Sequence, residues 1–201
     1  MLVAIAAFAT QGLGRAGARF FKSAHAKERT FIIGNGKGTL KQGHKTMSAD
    51  FMRRAIALGL ENVRTGRGGP FAALVVKDGS VVAEGANRVT TTNDPTAHAE
   101  VVAIREACRR LGDFQLSGCD LYTTCEPCPM CLGAIYWARS ARVFYACLAA
   151  DAAAAGFDDA LIYEELKRPL AARRMPMKQL LRDESLAIFS LWKRQEKKTP
   201  Y

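Results

Sequence analysis

Two short stretches, Thr96-Ala97-His98-Ala99-Glu100 and Pro127-Cys128-Pro129-Met130-Cys131, hold metal-ligating residue types at a characteristic spacing. Imidazole nitrogen and cysteine thiolate are ligands that zinc prefers, so His98, Cys128 and Cys131 are predicted to bind one zinc ion. Three protein ligands leave one tetrahedral position open. An open position is typical of a catalytic zinc and not of a structural zinc.

Glu100 lies two residues beyond His98 and is predicted to carry protons during catalysis, not to bind the metal. Zinc acidifies water in such a site, and a neighbouring carboxylate can accept the proton and pass it to a substrate. Two alternatives stay open. An acid near a helix start is favourable by itself. Cys125 as a fourth ligand would close the site and make the zinc structural.

Composition and charge indicate a globular domain with a basic extension. Apolar residues make up 49% and charged residues 24% of the 201 residues, as in ordinary globular domains. No apolar run is long enough for a transmembrane helix. Residues 1–46 contain eight Lys/Arg and one acid, whereas residues 47–201 contain 21 basic and 18 acidic residues. A nucleic-acid partner is therefore not expected for the near-neutral domain.

Residues 1–46 are predicted to be a disordered leader upstream of a true start at Met47, and residues 47–201 the zinc-dependent domain. Because the leader is poor in acids and contains arginine, an organelle transit peptide is the alternative. Two of the six cysteines form the C-x-x-C, which favours a reducing, cytoplasmic location over a disulfide scaffold. Cys108, Cys119 and Cys147 are predicted to lie in the core.

The hydrophobic pattern predicts an α/β fold. The first helix is predicted from Ser48, with an apolar face of Phe51, Ala55, Leu58 and Val63. The predicted strands are Ala72–Lys77, Ser80–Ala86, 121–124 and Arg142–Cys147, and an Asp78-Gly79 hairpin turn joins the first two. Further helices are predicted over 95–111 and 129–138, and a polar loop is predicted over 89–94. This order predicts a mixed β-sheet with helices on both faces, an α/β/α sandwich. Met130 and Trp137 are predicted to be packing residues of the helix over 129–138.

Four motifs carry a family resemblance: Gly68-Gly69-Pro70-Phe71, the stretch from Asn93 to Glu100, the stretch from Cys125 to Trp137, and Gly156-Phe157-Asp158-Asp159 with Ile162-Tyr163. By these motifs the chain resembles bacterial guanine deaminases of the cytidine-deaminase-like superfamily. It covers essentially all of 47–201 and none of 1–46. It implies hydrolytic deamination of guanine to xanthine with release of ammonia, in purine metabolism, by a domain-swapped homodimer with one zinc per site.

The resemblance also implies roles for individual residues. Phe71 would stack on the purine, Asn87 would hydrogen-bond the base, and backbone groups around Ala99 would help to hold it. Asp159 and Tyr201 would close the pocket, with the C-terminal segment supplied by the neighbouring subunit. Glu164 would assist proton transfer. From the residues alone, Asp159 can equally be a helix-start residue, Tyr201 a frayed terminus and Glu164 part of a solvated helix face.

Two further functions stay open. The zinc motif alone also fits deamination of a tRNA adenosine, of guanosine or of ammeline. A structural-zinc binding module would need four filled zinc positions and would leave Glu100 without a purpose.

Overall fold

A computed structural model describes the backbone of residues 42–200 and the side chains of residues 48–200. Helices and strands alternate through most of this range. The strands are β1 (Ala72–Lys77), β2 (Ser80–Ala86), β3 (Cys119–Cys125) and β4 (Arg142–Cys147); the helices are α1 (Gln42–Arg64), α2 (Val89–Thr92), α3 (Ala99–Leu111), α4 (Pro129–Trp137), α5 (Ala149–Ala154), α6 (Ala160–Lys167) and α7 (Arg182–Arg194), with a 3-10 turn over Leu170–Ala172.

The four strands form one mixed sheet in the order β2-β1-β3-β4. β1 pairs antiparallel with both β2 and β3, and β3 pairs parallel with β4. Asp78 and Gly79 both have positive φ, 49° and 75°, as the two central residues of a tight hairpin turn require. The mixed sheet, the four predicted strands and the hairpin are therefore confirmed.

Alternate residues of β1 enter two separate cores, because successive side chains of a strand point to opposite faces. On one face, Leu74 and Val76 pack with Ala55 of α1. On the other face, Ala73 and Val75 belong to a cluster with buried residues of α3 and α4, among them Ala103, Ile104, Ala107 and Ile135. Helices thus cover both faces, and the predicted α/β/α sandwich is confirmed.

The first helix differs from its prediction at its start and in one residue of its predicted apolar face. It begins at Gln42, upstream of Ser48 and Met47, so the last residues of the predicted leader are helical. The rest of the leader lies outside the described residues, and a start at Met47 stays a prediction. Near the other end, Val63 is 51% exposed and Asn62 is buried in its place. Asn62 tolerates burial because its amide donates to two backbone carbonyls.

The predicted helix start at Pro95 is wrong, and so is the loop over residues 89–94. Val89–Thr92 forms a single helical turn. Asp94 Oδ1 then accepts hydrogen bonds from the backbone N and the Oγ1 of Thr96, and this local turn competes with helix. His98 is still extended, with φ −68° and ψ 154°, so α3 begins only at Ala99.

Three packing predictions meet mixed outcomes. Cys119 is buried as predicted and Cys108 is half-buried, but Cys147 is exposed. Met130 is half-buried, whereas Trp137 is 68% exposed. Cys147 and Trp137 lie on β4 and α4, at the end of the sheet where many large apolar side chains are uncovered.

None of the described helices combines the length and apolarity needed to cross a membrane.

Gly85 allows α3 to approach β2 closely. A Cβ atom at this position would lie 2.2 Å from the carbonyl oxygen of Ala99 and 2.5 Å from the backbone nitrogen of Ala103. Because both atoms belong to the helix backbone, Gly85→Ala is expected to displace α3 and to lower the free energy of unfolding by about 1–3 kcal/mol. Chemical denaturation followed by circular dichroism measures this loss.

Gly59→Ala is the matched control. Gly59 is also buried, but its added Cβ would meet atoms no closer than 3.4 Å, so the change should stay within about 1 kcal/mol. Equal destabilisation by both substitutions would contradict the close approach at Gly85.

Candidate active site

Two helix starts converge to bring the predicted zinc ligands together. His98 is the N-cap residue of α3, and Cys128 is the N-cap residue of α4, with Pro129 at the first helical position. Proline suits that position because its missing N–H is not needed there. Cys131 follows in the first turn of α4. Both helix N-termini therefore present their partial positive charge to the thiol groups.

The donor atoms have the spacing of a tetrahedral zinc site. His98 Nδ1 lies 3.5 Å from Cys128 Sγ and 3.5 Å from Cys131 Sγ, and all three atoms lie within 4.8 Å of one another. Zinc bonds of ordinary length at tetrahedral angles place nitrogen and sulfur ligands about 3.6 Å apart. The imidazole and the two thiols thus fit a single zinc ion, with His98 offering Nδ1.

Cys125 is not part of this group. Its thiol lies 3.5 Å from the carbonyl oxygen of Leu148, to which it donates, and burial raises its pKa to about 11. Among the described residues, the group able to hold a metal comprises His98, Cys128 and Cys131. Three ligands leave room for a catalytic role of the metal.

The two ligand thiols differ in electrostatics. A hydrogen bond from the Cys131 thiol is the main reason that the pKa of Cys128 is lowered to about 4. The same contact, together with burial, raises the pKa of Cys131. One thiolate therefore forms readily at this site, and a divalent cation favours the second.

Glu100 lies beside the ligand group and away from water. It is 6% exposed, and burial raises the pKa of its carboxyl group. Its Oε2 lies 3.4 Å from Cys131 Sγ, while its Oε1 accepts a 3.0 Å hydrogen bond from Thr123 Oγ1. A buried carboxyl group next to a metal site is suited to accept and return a proton.

Thr123 is a residue that sequence reasoning missed. It is 1% exposed in β3, and its hydroxyl fixes one oxygen of Glu100 while the other faces Cys131. The only signal in the sequence is a hydroxyl residue in a buried strand just before the C-x-x-C. That signal is weak, because threonine is common in strands.

Phe71 and Asn87 lie at neighbouring strand ends, joined by a hydrogen bond from Asn87 N to Phe71 O. Phe71 meets Phe157 edge-to-face, with ring centroids 4.9 Å apart and an interplanar angle of 86°. Asn87 is buried, and its Oδ1 accepts from the backbone nitrogens of Gly69 and Val89. These contacts leave the side-chain NH₂ of Asn87 without a partner among residues 48–200, so it can donate to a ligand.

The other predicted site residues differ in their burial and contacts. Ala99 is fully buried at the start of α3. Asp159 is half-buried just before α6, and burial, followed by the negative charge of Cys128, raises its pKa. Glu164 is 62% exposed and pairs with Lys167 at 2.8 Å, as expected for a solvated helix face. Tyr201 lies outside the described residues.

Comparisons with known proteins agree with this geometry. The family model for the cytidine and deoxycytidylate deaminase zinc-binding region matches residues 45–147. Guanine deaminase of Bacillus subtilis (strain 168) is 56% identical over 151 residues, covering 75% of this chain and 97% of that protein. Its X-ray structure superposes with a TM-score of 0.75 and 56% identity, covering 76% of this chain and 98% of that chain. The tRNA-specific adenosine deaminase of Aquifex aeolicus is 47% identical over 79 residues, 39% of this chain and 52% of that protein.

Fold and donor set together define a zinc-dependent α/β enzyme. The chain belongs to the family of deaminases with the cytidine and deoxycytidylate deaminase zinc-binding region. Zinc is its cofactor, and the hydrolase class of the sequence prediction is confirmed.

Thr123→Val is expected to lower kcat by roughly 10- to 100-fold, because a hydrogen bond to a buried charged group contributes about 1.5–3 kcal/mol. KM and zinc content should change little, since Thr123 lies behind Glu100 and touches no metal ligand in the described contacts. Steady-state kinetics and metal analysis measure the three quantities.

Thr123→Ser is the matched control, because it keeps the hydroxyl and should keep most of kcat. A valine variant with wild-type kcat, or a serine variant as impaired as valine, would show that the hydroxyl does not orient Glu100.

Proposed function

We propose that this chain is a guanine deaminase, which hydrolyses guanine to xanthine and ammonia. The likeness to B. subtilis guanine deaminase supports this substrate, because it extends over 97% of that protein. The match to the Aquifex tRNA-specific adenosine deaminase spans only about half of that protein, 52%. The near-neutral charge of residues 47–201 also favours a small purine over tRNA.

The carboxyl group of Glu100 is the proposed proton carrier. A zinc ion held by His98, Cys128 and Cys131 would supply Lewis-acid activation of water. Glu100 Oε2, on the side of the metal ligands, accepts a proton as the water oxygen adds to C2 of guanine. The carboxyl group returns this proton to ring nitrogen N3. It then takes the second proton from the hydroxyl now on C2 and passes it to the exocyclic amine, so that the C2–N bond breaks, the C2 carbonyl forms and ammonia leaves. Thr123 keeps the other oxygen fixed throughout.

The pocket residues would orient C2 for this addition. Phe71, set by its edge-to-face contact with Phe157, would stack on the purine ring. The free NH₂ of Asn87 would donate to the base edge, and backbone groups near Ala99 would complete the contacts. Asp159 and Tyr201 are proposed to close the pocket. A role of Glu164 in proton transfer would require loss of its ion pair with Lys167, so the solvated-face alternative fits its surroundings better.

Ammonia release from zinc-loaded protein tests the substrate. Guanine, guanosine, adenine, cytidine and ammeline should be compared at equal concentration, and guanine alone is expected to give strong turnover. Turnover of guanosine or ammeline instead would overturn the proposed pocket but not the zinc chemistry. A tRNA substrate belongs in the same series, because turnover of tRNA alone would replace the proposal.

Glu100→Gln is expected to reduce kcat by about 10²- to 10⁴-fold, because glutamine cannot carry the proton. Zinc content should stay at one per chain, since Glu100 is not a proposed ligand. Glu126→Gln is the control, because Glu126 is an exposed acid near the C-x-x-C and should stay near wild-type turnover. Near-full activity of Glu100→Gln would refute the assigned role.

We also propose that the chain forms a domain-swapped homodimer. Large apolar side chains are exposed from α4 to α7, and members of this set with more than half of their surface exposed include Tyr136, Leu148, Leu166, Leu180, Ile188, Phe189 and Leu191. An apolar surface of this extent is typical of an interface and not of a monomer. A second copy of the chain is the proposed occupant, with each C-terminal segment completing the pocket of the other subunit.

A cytoplasmic location is also proposed, and the six free cysteines support it.

Mixing two inactive variants tests the swap. Glu100→Gln lacks the proton carrier, and Tyr201→Ala lacks the proposed pocket residue. If Tyr201 comes from the neighbouring subunit, each heterodimer contains one intact site, and co-refolded protein should recover about a quarter of wild-type activity.

Light scattering of the wild-type protein should give a molar mass twice that of one chain. No recovery in the mixture, although heterodimers form, would show that each pocket is completed by its own chain.

A further inference from the structure

A basic cleft of about 490 Å³ lies along the open edge of the sheet, outside the zinc cluster. β2 is the edge strand, and α1 and α3 cover the two faces beside it. Four arginines line the cleft with one acid: Arg54, Arg67, Arg88, Arg110 and Glu84. Leu58 and Val81 supply apolar walls. Clustered positive charge between low-dielectric walls concentrates anions.

Two of the four arginines bind residues of β2. Arg54 Nε lies 2.5 Å from Glu84 Oε1. Arg110 Nη1 donates to the carbonyl oxygen of Val82 on the open edge of β2. These two side chains bridge the helices to the strand and shape the cleft.

The other two arginines are held less closely by acids. Arg67 Nη2 lies 3.9 Å from Glu61, a long ion pair at the protein surface, and its Nε donates to Thr65 Oγ1 at 2.8 Å. The Arg88 guanidinium forms no ion pair with any side chain of residues 48–200. The lining of the cleft therefore carries four cationic groups and one acid, Glu84, which pairs with Arg54, and a bound anion would offset this excess of positive charge.

The backbones of these two arginines are fixed to each other. Thr91 Oγ1 contacts the carbonyl oxygen of Arg67 at 3.0 Å and that of Arg88 at 3.2 Å. Asn62 also joins the segments, because its Nδ2 donates to Gly69 O and Asn87 O, both at 2.9 Å. The backbones that carry the two arginine side chains are therefore joined, which lowers the entropy cost of bringing both residues to one ligand.

We propose that the basic cleft binds a phosphate-bearing anion between Arg67 and Arg88. Planar guanidinium groups match phosphate oxygens with paired, charge-assisted hydrogen bonds. The site is independent of the proposed deamination: Arg67 and Arg88 contact no zinc ligand in the described part of the chain. The anion can be free phosphate or the phosphate of a nucleotide.

Isothermal titration calorimetry on the zinc-loaded, full-length protein at low ionic strength tests the site. Inorganic phosphate and adenosine 5′-monophosphate are the two probes. The double variant Arg67→Ala/Arg88→Ala is expected to weaken binding at least about tenfold, because each arginine contributes a charge-assisted hydrogen bond. Arg53→Ala is the control, because Arg53 is an exposed arginine of α1 paired with Asp50 that does not line the cleft, and it should change affinity less than about twofold.

The two probes distinguish the source of the phosphate. Arginine-dependent binding of both probes with similar affinity supports a site for the phosphate group itself. Arginine-dependent binding of the nucleotide alone supports a nucleotide phosphate. Binding of neither probe, binding that persists in the double variant, or equal weakening by Arg53→Ala would overturn the proposal. Zinc content and circular dichroism confirm that each variant is folded, and none of these readouts depends on turnover.

Discussion

A tetrahedral zinc ion requires its nitrogen and sulfur ligands to lie about 3.6 Å apart, and this requirement explains how the central elements are placed. His98 and Cys128 are both N-cap residues, so the donor set depends on two helix starts meeting beside β3. The approach of α3 to the sheet depends in turn on Gly85, where the backbones leave no space for a side chain. Packing of the α3 backbone against β2, next to His98, therefore helps to set the distance between the imidazole and the thiols.

Glu100 is positioned by the same elements. It follows His98 by two residues on α3, and β3 supplies Thr123 to hold one of its oxygens. Burial raises the pKa of this carboxyl group, and proximity to Cys131 directs its second oxygen towards the ligands. The site is thus a proton carrier and a donor set held by the starts of α3 and α4 and by β3, which suits hydrolytic removal of an amine.

Much of this arrangement could be predicted from local sequence. Ligand spacing, strand alternation and the Asp78-Gly79 turn are local signals, and they identified the donor set, the strands and the sandwich. The start of α3 could not be placed, because the Asp94–Thr96 turn competes with the helix pattern. Thr123 was missed because its partner lies 23 residues away. Cys147 and Trp137 have apolar sequence contexts, but their surroundings depend on long-range packing at the end of the sheet.

X-ray absorption at the zinc edge tests the central claim most directly, because it counts the sulfur ligands of the metal in the native protein. A donor set of His98, Cys128 and Cys131, with the Cys125 thiol turned towards Leu148, predicts two sulfur ligands and the remaining positions filled by lighter atoms. Three sulfur ligands would place Cys125 on the metal. That result would make the zinc structural and contradict the assignment of a catalytic site.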